Sequence, residues 1–278
     1  MDLPQITAVM RPQSRAALPV WQAGHAYLAG GTWMFSEPQP TTDTLVDLHA
    51  LDWPALEVSE AGLRIGATCT IGALAAAPVI APGTGTAHFP AHWLAARVIA
   101  PCCQALLGSF KIAAIATVGG NVCLALAASP MLALTVALDG VAVTWSVAGE
   151  RTIPMVDFAI GPQQTVLGAG EVLRAIDLPV AALCRRAAMR QVSLTQHGRS
   201  AALLIATRDP AGPFALTITA ATRHPLRLDW PAPPTEAALD DAIAALPPAV
   251  WYDDLHGQPA WRRHMTRRLA IELLAELA

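Results

Sequence analysis

Short apolar blocks, some alternating with polar residues and some unbroken, set out the predicted elements. His25-Ala26-Tyr27-Leu28-Ala29 predicts a strand that runs into the turn Gly30-Gly31-Thr32. Residues 44–48 predict a second strand. Residues 56–58 and 63–65 flank Ser59-Glu60-Ala61-Gly62, a hairpin pattern. Thr70 stands where it would cap a helix starting at Ile71. Residues 92–100 follow a helical pattern that stops before Pro101, and a second helical stretch ends near Gly108. Residues 116–121 read as a strand entering another glycine turn, residues 132–138 as an apolar helix, and residues 141–147 as a strand. Ala148-Gly149-Glu150 turns the chain back toward residues 151–154. An irregular stretch over 161–170 precedes a strand at 171–178.

A second unit follows. Residues 185–193, 201–207 and 214–222 predict three antiparallel strands, the last two joined by the turn Asp209-Pro210-Ala211-Gly212. Pro231-Ala232-Pro233-Pro234 is a stiff connector. Thr235 caps an amphipathic helix to residue 246, and residues 259–278 predict a final helix. Strands followed by helices indicate an α+β unit.

One uncharged run, residues 112–138, is long enough to raise the question of a membrane span. Gly119-Gly120-Asn121 and Ser129-Pro130 interrupt it twice, so the expectation is a buried strand–turn–helix in a packed core. Met1-Asp2-Leu3-Pro4 lacks the basic and apolar regions of a secretory leader, and a cytoplasmic location is expected.

Of the 278 residues, 54% are apolar and 14% charged, which excludes disorder as the main state. The formal net charge of −3 provides no basic field for a nucleic-acid backbone. The five cysteines (Cys69, Cys102, Cys103, Cys123, Cys184) include no C-x-x-C pair. Zinc ribbons and iron–sulfur clusters need thiolates at such short spacing. Electron chemistry would therefore require an organic cofactor or a partner.

The two glycine turns share a form: apolar residues, two glycines, then a small polar residue. Glycine permits positive φ and close approach of a ligand, and consecutive N–H groups in such a turn form a concave nest for anions. The Thr32 hydroxyl and the Asn121 amide could each add a hydrogen bond. The two turns could converge on one diphosphate, and a side chain at Gly119 or Gly120 is expected to intrude on it. Gly83-Thr84-Gly85 and Gly168-Ala169-Gly170 begin G-x-G but lack the third glycine of a dinucleotide fingerprint, and no P-loop occurs.

Ala29-Gly30-Gly31-Thr32 and Thr117-Val118-Gly119-Gly120-Asn121 resemble the "A-G-G-T/H" and "T-I/V-G-G-N/S" turns of the flavin-binding subunit of the molybdenum hydroxylases, the xanthine and carbon monoxide dehydrogenase family. The resemblance continues through Leu138-Asp139-Gly140, Pro154-Met155-Val156-Asp157-Phe158 and Gly170-Glu171-Val172-Leu173. It extends from Asp254-Leu255-His256-Gly257 to Arg262-Arg263-His264-Met265. It implies a two-lobed FAD-binding domain of the PCMH type over residues 1–178. A small α+β domain like the carbon monoxide dehydrogenase flavoprotein C-terminal domain would follow over 179–278, with a three-stranded antiparallel sheet plus helices. It further implies FAD held by Leu28, Ala29, Gly30, Gly31, Thr32, Trp33, Thr117, Val118, Gly119, Gly120 and Asn121. The activity implied is that of an oxidoreductase subunit in a heterotrimer, or a dimer of heterotrimers. Iron–sulfur and molybdopterin subunits would carry the metals.

Departures from the family pattern cluster after the second turn. Leu126, Ala127 and Pro130 stand where the family often has Ser or Asp, Pro, and Asp, and Ala113-Ala114 replaces Arg-Asn. Ser129-Pro130 is either the same feature displaced by three residues or unrelated to it. His88 and His92 lack a third metal ligand, and Cys102-Cys103 read as packed thiols. Arg262, Arg263, Arg267 and Arg268 read as a solvated helix face with i, i+4 partners such as Glu272. Trp33 could lie along the cofactor or pack in the core, and Arg199 falls where the family chain passes near the flavin ring. Two alternatives stand beside the flavin subunit: a structural subunit of the same fold that has lost FAD, and a stand-alone flavin reductase like the acetylenolpyruvylglucosamine reductases.

Overall fold

The computed structural model describes residues 3–77 and 89–277. The Gly83-Thr84-Gly85 stretch and His88 lie outside the described residues. The first strands are β1 (Ala8–Met10), β2 (His25–Leu28) and β3 (Thr44–Asp47). They form a parallel sheet in the order β1-β3-β2, with Leu28 opposite Asp47 at its end. Parallel neighbours need a crossover of about a dozen residues or more. Residues 29–43 supply it between β2 and β3 as an irregular loop that contains the first glycine turn.

Next come β4 (Leu56–Ser59) and β5 (Gly62–Gly66), the expected hairpin. Among the described residues five short α-helices follow: α1 (Ile71–Ala76), α2 (Ile99–Gln104), α3 (Phe110–Ala113), α4 (Val118–Leu124) and α5 (Pro130–Ala137). Every residue of α5 is buried. A short helix that is apolar on all sides fits only inside a core, and no helix among the described residues is long and apolar enough to cross a membrane. Then come β6 (Val141–Ser146), β7 (Gly149–Pro154), the small pair β8 (Ala159–Gly161) and β9 (Gln164–Thr165), and β10 (Val172–Pro179). β10 lies between β5 and β6, giving an antiparallel sheet in the order β4-β5-β10-β6-β7.

Beyond α6 (Val180–Leu183) lie β11 (Arg186–Val192), β12 (Ala202–Arg208), β13 (Phe214–Thr219) and β14 (Leu226–Trp230). They form one antiparallel sheet of four strands. The expected three-stranded sheet is thus corrected to four. β14 carries the alternation Leu226, Leu228, Trp230, a short signal bounded by Pro225 and Pro231. The chain ends in α7 (Glu236–Ala244) and α8 (Pro259–Leu277). β12 is buried on both faces: Leu203 and Ile205 join the core shared with α5, while Ala202, Leu204 and Ala206 join the core shared with α8. Period-two alternation lets one strand serve both cores.

Three local expectations are overturned. Residues 116–121 are not a strand entering a turn. Thr117 caps α4 by accepting the Gly120 N–H at 3.1 Å, and both glycines sit in the first turn of the helix. Pro101 does not end a helix. It lies in the first turn of α2, where its missing N–H costs nothing. Arg262 is not part of a solvated face, since only 1% of it is exposed. Its guanidinium donates to the carbonyls of Gly257 (2.9 Å), Ala201 (2.6 Å) and Ala220 and pairs with Asp254. Arg268 does meet Glu272 at i, i+4, and Arg267 pairs with Asp240.

Candidate functional site

A cavity of about 460 Å³ opens where the β2–β3 crossover meets α4. Leu28, Ala29, Gly30, Gly31, Thr32 and Trp33 line it from one side, and Thr117, Gly120 and Asn121 from the other. The two segments touch directly. The point where a Cβ on Gly30 would stand lies 2.0 Å from the Ile115 carbonyl oxygen and 3.3 Å from the Ala116 Cα. Val118 and Gly119, also expected at the site, do not line this cavity, although Gly119 lines a smaller space beside it. Val118 is fully buried in the core, and a Cβ on Gly119 would strike Ala67, 2.6 Å from its Cβ. Gly119 therefore packs α4 against the end of β5, and a side chain there would meet Ala67 first. Gly120 is different, because its Cβ position meets only the Thr117 Oγ1, at 2.9 Å.

The two turns do not offer the same chemistry. In the second, the four backbone donors from Val118 to Asn121 are already used. The Val118 N–H goes to Cys69 O (2.9 Å), Gly119 to Ala67 O (2.9 Å), Gly120 to Thr117 Oγ1 (3.1 Å) and Asn121 to Thr117 O (3.0 Å). No anion nest exists there. In the first, Gly31 adopts φ +68°, and its carbonyl accepts from the Phe35 N–H at 2.9 Å, closing a single helical turn. Among the described residues, no protein acceptor meets the N–H groups of Gly30, Gly31, Thr32, Trp33 or Met34. Five consecutive unmatched donors at the mouth of a cavity are the chemistry that an anion nest offers.

The second turn contributes a side chain instead. Asn121 Oδ1 accepts the Met131 N–H at 3.0 Å, which fixes the amide and leaves its NH2 without a partner among the described residues. Ser129, at the start of α5, donates to the Asn121 carbonyl at 3.0 Å. Ser129 and Pro130 both line the cavity, as does Leu126. Trp33 lines it and is half-buried.

The remaining walls were not read from the sequence. Leu106, Ile112 and Leu124 make them apolar. Tyr27 closes the floor with its hydroxyl donated to Gly170 O at 2.8 Å, and burial pushes that phenol up to about 12. A smaller space of about 130 Å³ shares Tyr27, Ala29, Gly120 and Cys123 with the main cavity and reaches Glu171. Arg151 donates to both Glu171 oxygens (2.6 Å each), and with Thr144 and the Gly168 N–H it holds that carboxyl down to about 2. Burial drives the Cys123 thiol up to about 12, so it stands in the wall as a protonated, weakly polar group. All five cysteines are free, and Cys102 and Cys103 are buried. Among the described residues, no three His, Cys, Asp or Glu side chains could hold a metal ion. The walls suit a flat, largely apolar molecule with an anionic linker.

The family model for the FAD-binding domain in molybdopterin dehydrogenase matches residues 9–181. No curated protein matches the chain in a sequence comparison. Among solved structures, carbon monoxide dehydrogenase from Hydrogenophaga pseudoflava superposes with a TM-score of 0.80 at 19% identity, covering 100% of this chain and 98% of that one. Quinoline 2-oxidoreductase from Pseudomonas putida 86 gives 0.78 at 18%, covering 100% and 98%. Carbon monoxide dehydrogenase from Oligotropha carboxidovorans gives 0.77 at 21%, covering 98% and 97%. At these identities the likeness is one of fold.

Proposed function

The chain belongs to the family of FAD-binding domains of molybdopterin dehydrogenases, and from that premise we propose that it is the flavin-bearing electron-transfer subunit of a molybdenum hydroxylase. The observation that carries this reading is the run of unmatched N–H groups at residues 30–34, facing the Asn121 amide across one cavity. The residues present fit FAD. The nest supplies donors for a diphosphate, the Gly120 Cβ position is open on the cavity side, and the apolar walls accommodate ring systems. Bound FAD would supply the redox chemistry, linking iron–sulfur clusters on one partner subunit to an electron acceptor, while a further subunit carries the molybdopterin.

This chain's own residues bind and orient. Leu28, Ala29, Gly30, Gly31, Thr32 and Trp33 form the nest side, and Thr117, Gly120 and Asn121 form the opposing wall. Val118 and Gly119 seat α4, and Gly119 also borders the smaller adjoining space. A division into a flavin domain over residues 1–178 and a smaller domain over 179–278 belongs to the same proposal. So do assembly as a heterotrimer, singly or paired, and a cytoplasmic location. A stand-alone reductase would need an acid and base beside its substrate, whereas among the described residues Arg199 is the only charged side chain lining the main cavity.

An absorbance spectrum of the purified protein, after incubation with FAD and desalting, tests the reading. Flavin bands near one equivalent, with iron–sulfur and molybdenum chains co-purifying, are expected. A folded protein that retains no flavin would favour the structural-subunit reading, for which Leu126 and Pro130 in the cavity wall speak.

A further inference from the structure

Arg199 stands apart from the other arginines. Each of them except Arg15 engages a carboxylate, a carbonyl or an aromatic ring, whereas Arg199 has no partner among the described residues. It lines the main cavity, and among the described residues no carboxylate does. A defined path carries it there. Arg199 lies in the loop between β11 and β12. The carbonyls of Ala201 and Ala220 share the buried Arg262 guanidinium, and the Ala220 N–H donates to Ala127 O at 2.8 Å, beside the wall residues Leu126 and Ala128. The C-terminal sheet thus brings one unpaired cation to a cavity whose other anion-binding groups are uncharged.

A diphosphate carries permanent negative charge. Neutral N–H donors solvate it without cancelling that charge, and an unpaired guanidinium in the same cavity does cancel part of it. Resting on the reading of this cavity as the FAD site, we propose that Arg199 is the counter-ion of the FAD diphosphate, supplied across the cavity by the C-terminal part of the chain.

The test is titration of the flavin-free full-length chain with FAD, comparing wild type, Arg199→Gln and Arg199→Lys. Riboflavin, which has no phosphate, is titrated in parallel. Arg199→Gln should raise the Kd for FAD roughly tenfold at low salt. That gap should close toward 1 M salt, as the screening length falls from about 30 Å at 0.01 M to about 3 Å. Arg199→Lys should recover much of the loss, and riboflavin affinity and the reduction potential of bound flavin should not change. Thermal unfolding of the flavin-free variants should match wild type, since the side chain is exposed and unpaired. An unchanged FAD Kd at low salt would overturn the proposal. So would a loss of equal size at every salt concentration, an equal loss for riboflavin, or a shifted flavin potential, which would place the guanidinium at the ring. Wild type that fails to bind FAD at all would instead remove the reading on which the proposal rests.

Discussion

Gly30 packs so closely on the Ile115 backbone that a Cβ would stand 2.0 Å from the Ile115 carbonyl oxygen. This contact, between the β2–β3 crossover and the segment leading into α4, sets the width of the cavity. Gly30→Ala must push the two segments apart, and such overpacking costs about 1–3 kcal/mol. Gly119→Ala meets Ala67 at 2.6 Å and should cost a similar amount. Gly120→Ala meets only the Thr117 Oγ1. The expected pattern is a lowered melting temperature for Gly30→Ala and Gly119→Ala. Gly120→Ala should stay near wild type in stability yet retain less FAD. Calorimetry and flavin occupancy on the same preparations separate the two effects.

The contrast between the two turns shows what the sequence makes legible. β2, the hairpin of β4 and β5, and the Thr70 and Thr235 caps were readable because period and cap chemistry are local. The pairing of the two glycine segments in one cavity was readable through their matching flanks. The roles of Gly119 and Gly120 were not. A Gly-Gly pair looks the same in a loop and in the first turn of a helix, and only Ala67, which lies 52 residues before Gly119, shows which glycine faces protein. The pairing of the second turn's N–H groups with Ala67 and Cys69 is likewise long-range. Arg262 was misplaced because its partners come from three separate segments, which no periodicity within α8 reveals.

Asn121 performs two tasks with its two amide ends. Its Oδ1 holds the Met131 N–H at the start of α5, and its NH2, in a residue that lines the cavity, has no partner among the described residues. Asn121→Asp keeps the acceptor and adds negative charge near a helix N-terminus, which is tolerated or favoured there. It removes the donor and places a carboxylate against an anionic ligand. Stability within about 0.5 kcal/mol of wild type is expected, with FAD affinity reduced at least about tenfold. Equal FAD titrations for the two proteins would show that the amide does not meet the ligand.

Glu171 links pH to the floor of the site. The Arg151 hydrogen bonds, aided by Thr144 and the Gly168 N–H, lower its carboxyl from 4.5 to about 2. A depressed folded-state pKa contributes stability that is fully present above the unfolded value near 4.5 and is lost as pH falls through the folded value near 2. Urea melts of wild type and Glu171→Gln should therefore differ at pH 7. The difference should narrow steadily from about pH 4.5 down toward 2. The Gly168–Glu171 loop also presents the Gly170 carbonyl to Tyr27, so the variant should loosen the aromatic floor and raise tyrosine accessibility. A constant stability difference across that range would remove the ion pair from the account.

Arg262 ties the C-terminal sheet to the loop before α8. Its guanidinium serves Gly257, Ala201, Ala220 and Asp254 at once, and only 1% of the residue is exposed. Removing it leaves three buried carbonyls and a carboxylate short of a donor. Loss of one partner from a buried pair costs about 3–5 kcal/mol. Arg262→Lys keeps the charge, but an ammonium cannot span acceptors arranged for a planar fork, so most of the loss should persist. Since Ala201 and Ala220 position both the Arg199 loop and, through Ala127, the wall residues Leu126 and Ala128, the lysine variant should also bind FAD more weakly at temperatures where it remains folded. Chemical denaturation of Arg262→Lys, compared with Arg268→Lys at the exposed pair with Glu272, provides the control. The first should fall by several kcal/mol, and the second should stay within about 0.5 kcal/mol, as surface pairs do. Equal behaviour of the two variants would mean that the buried contacts do not carry the fold.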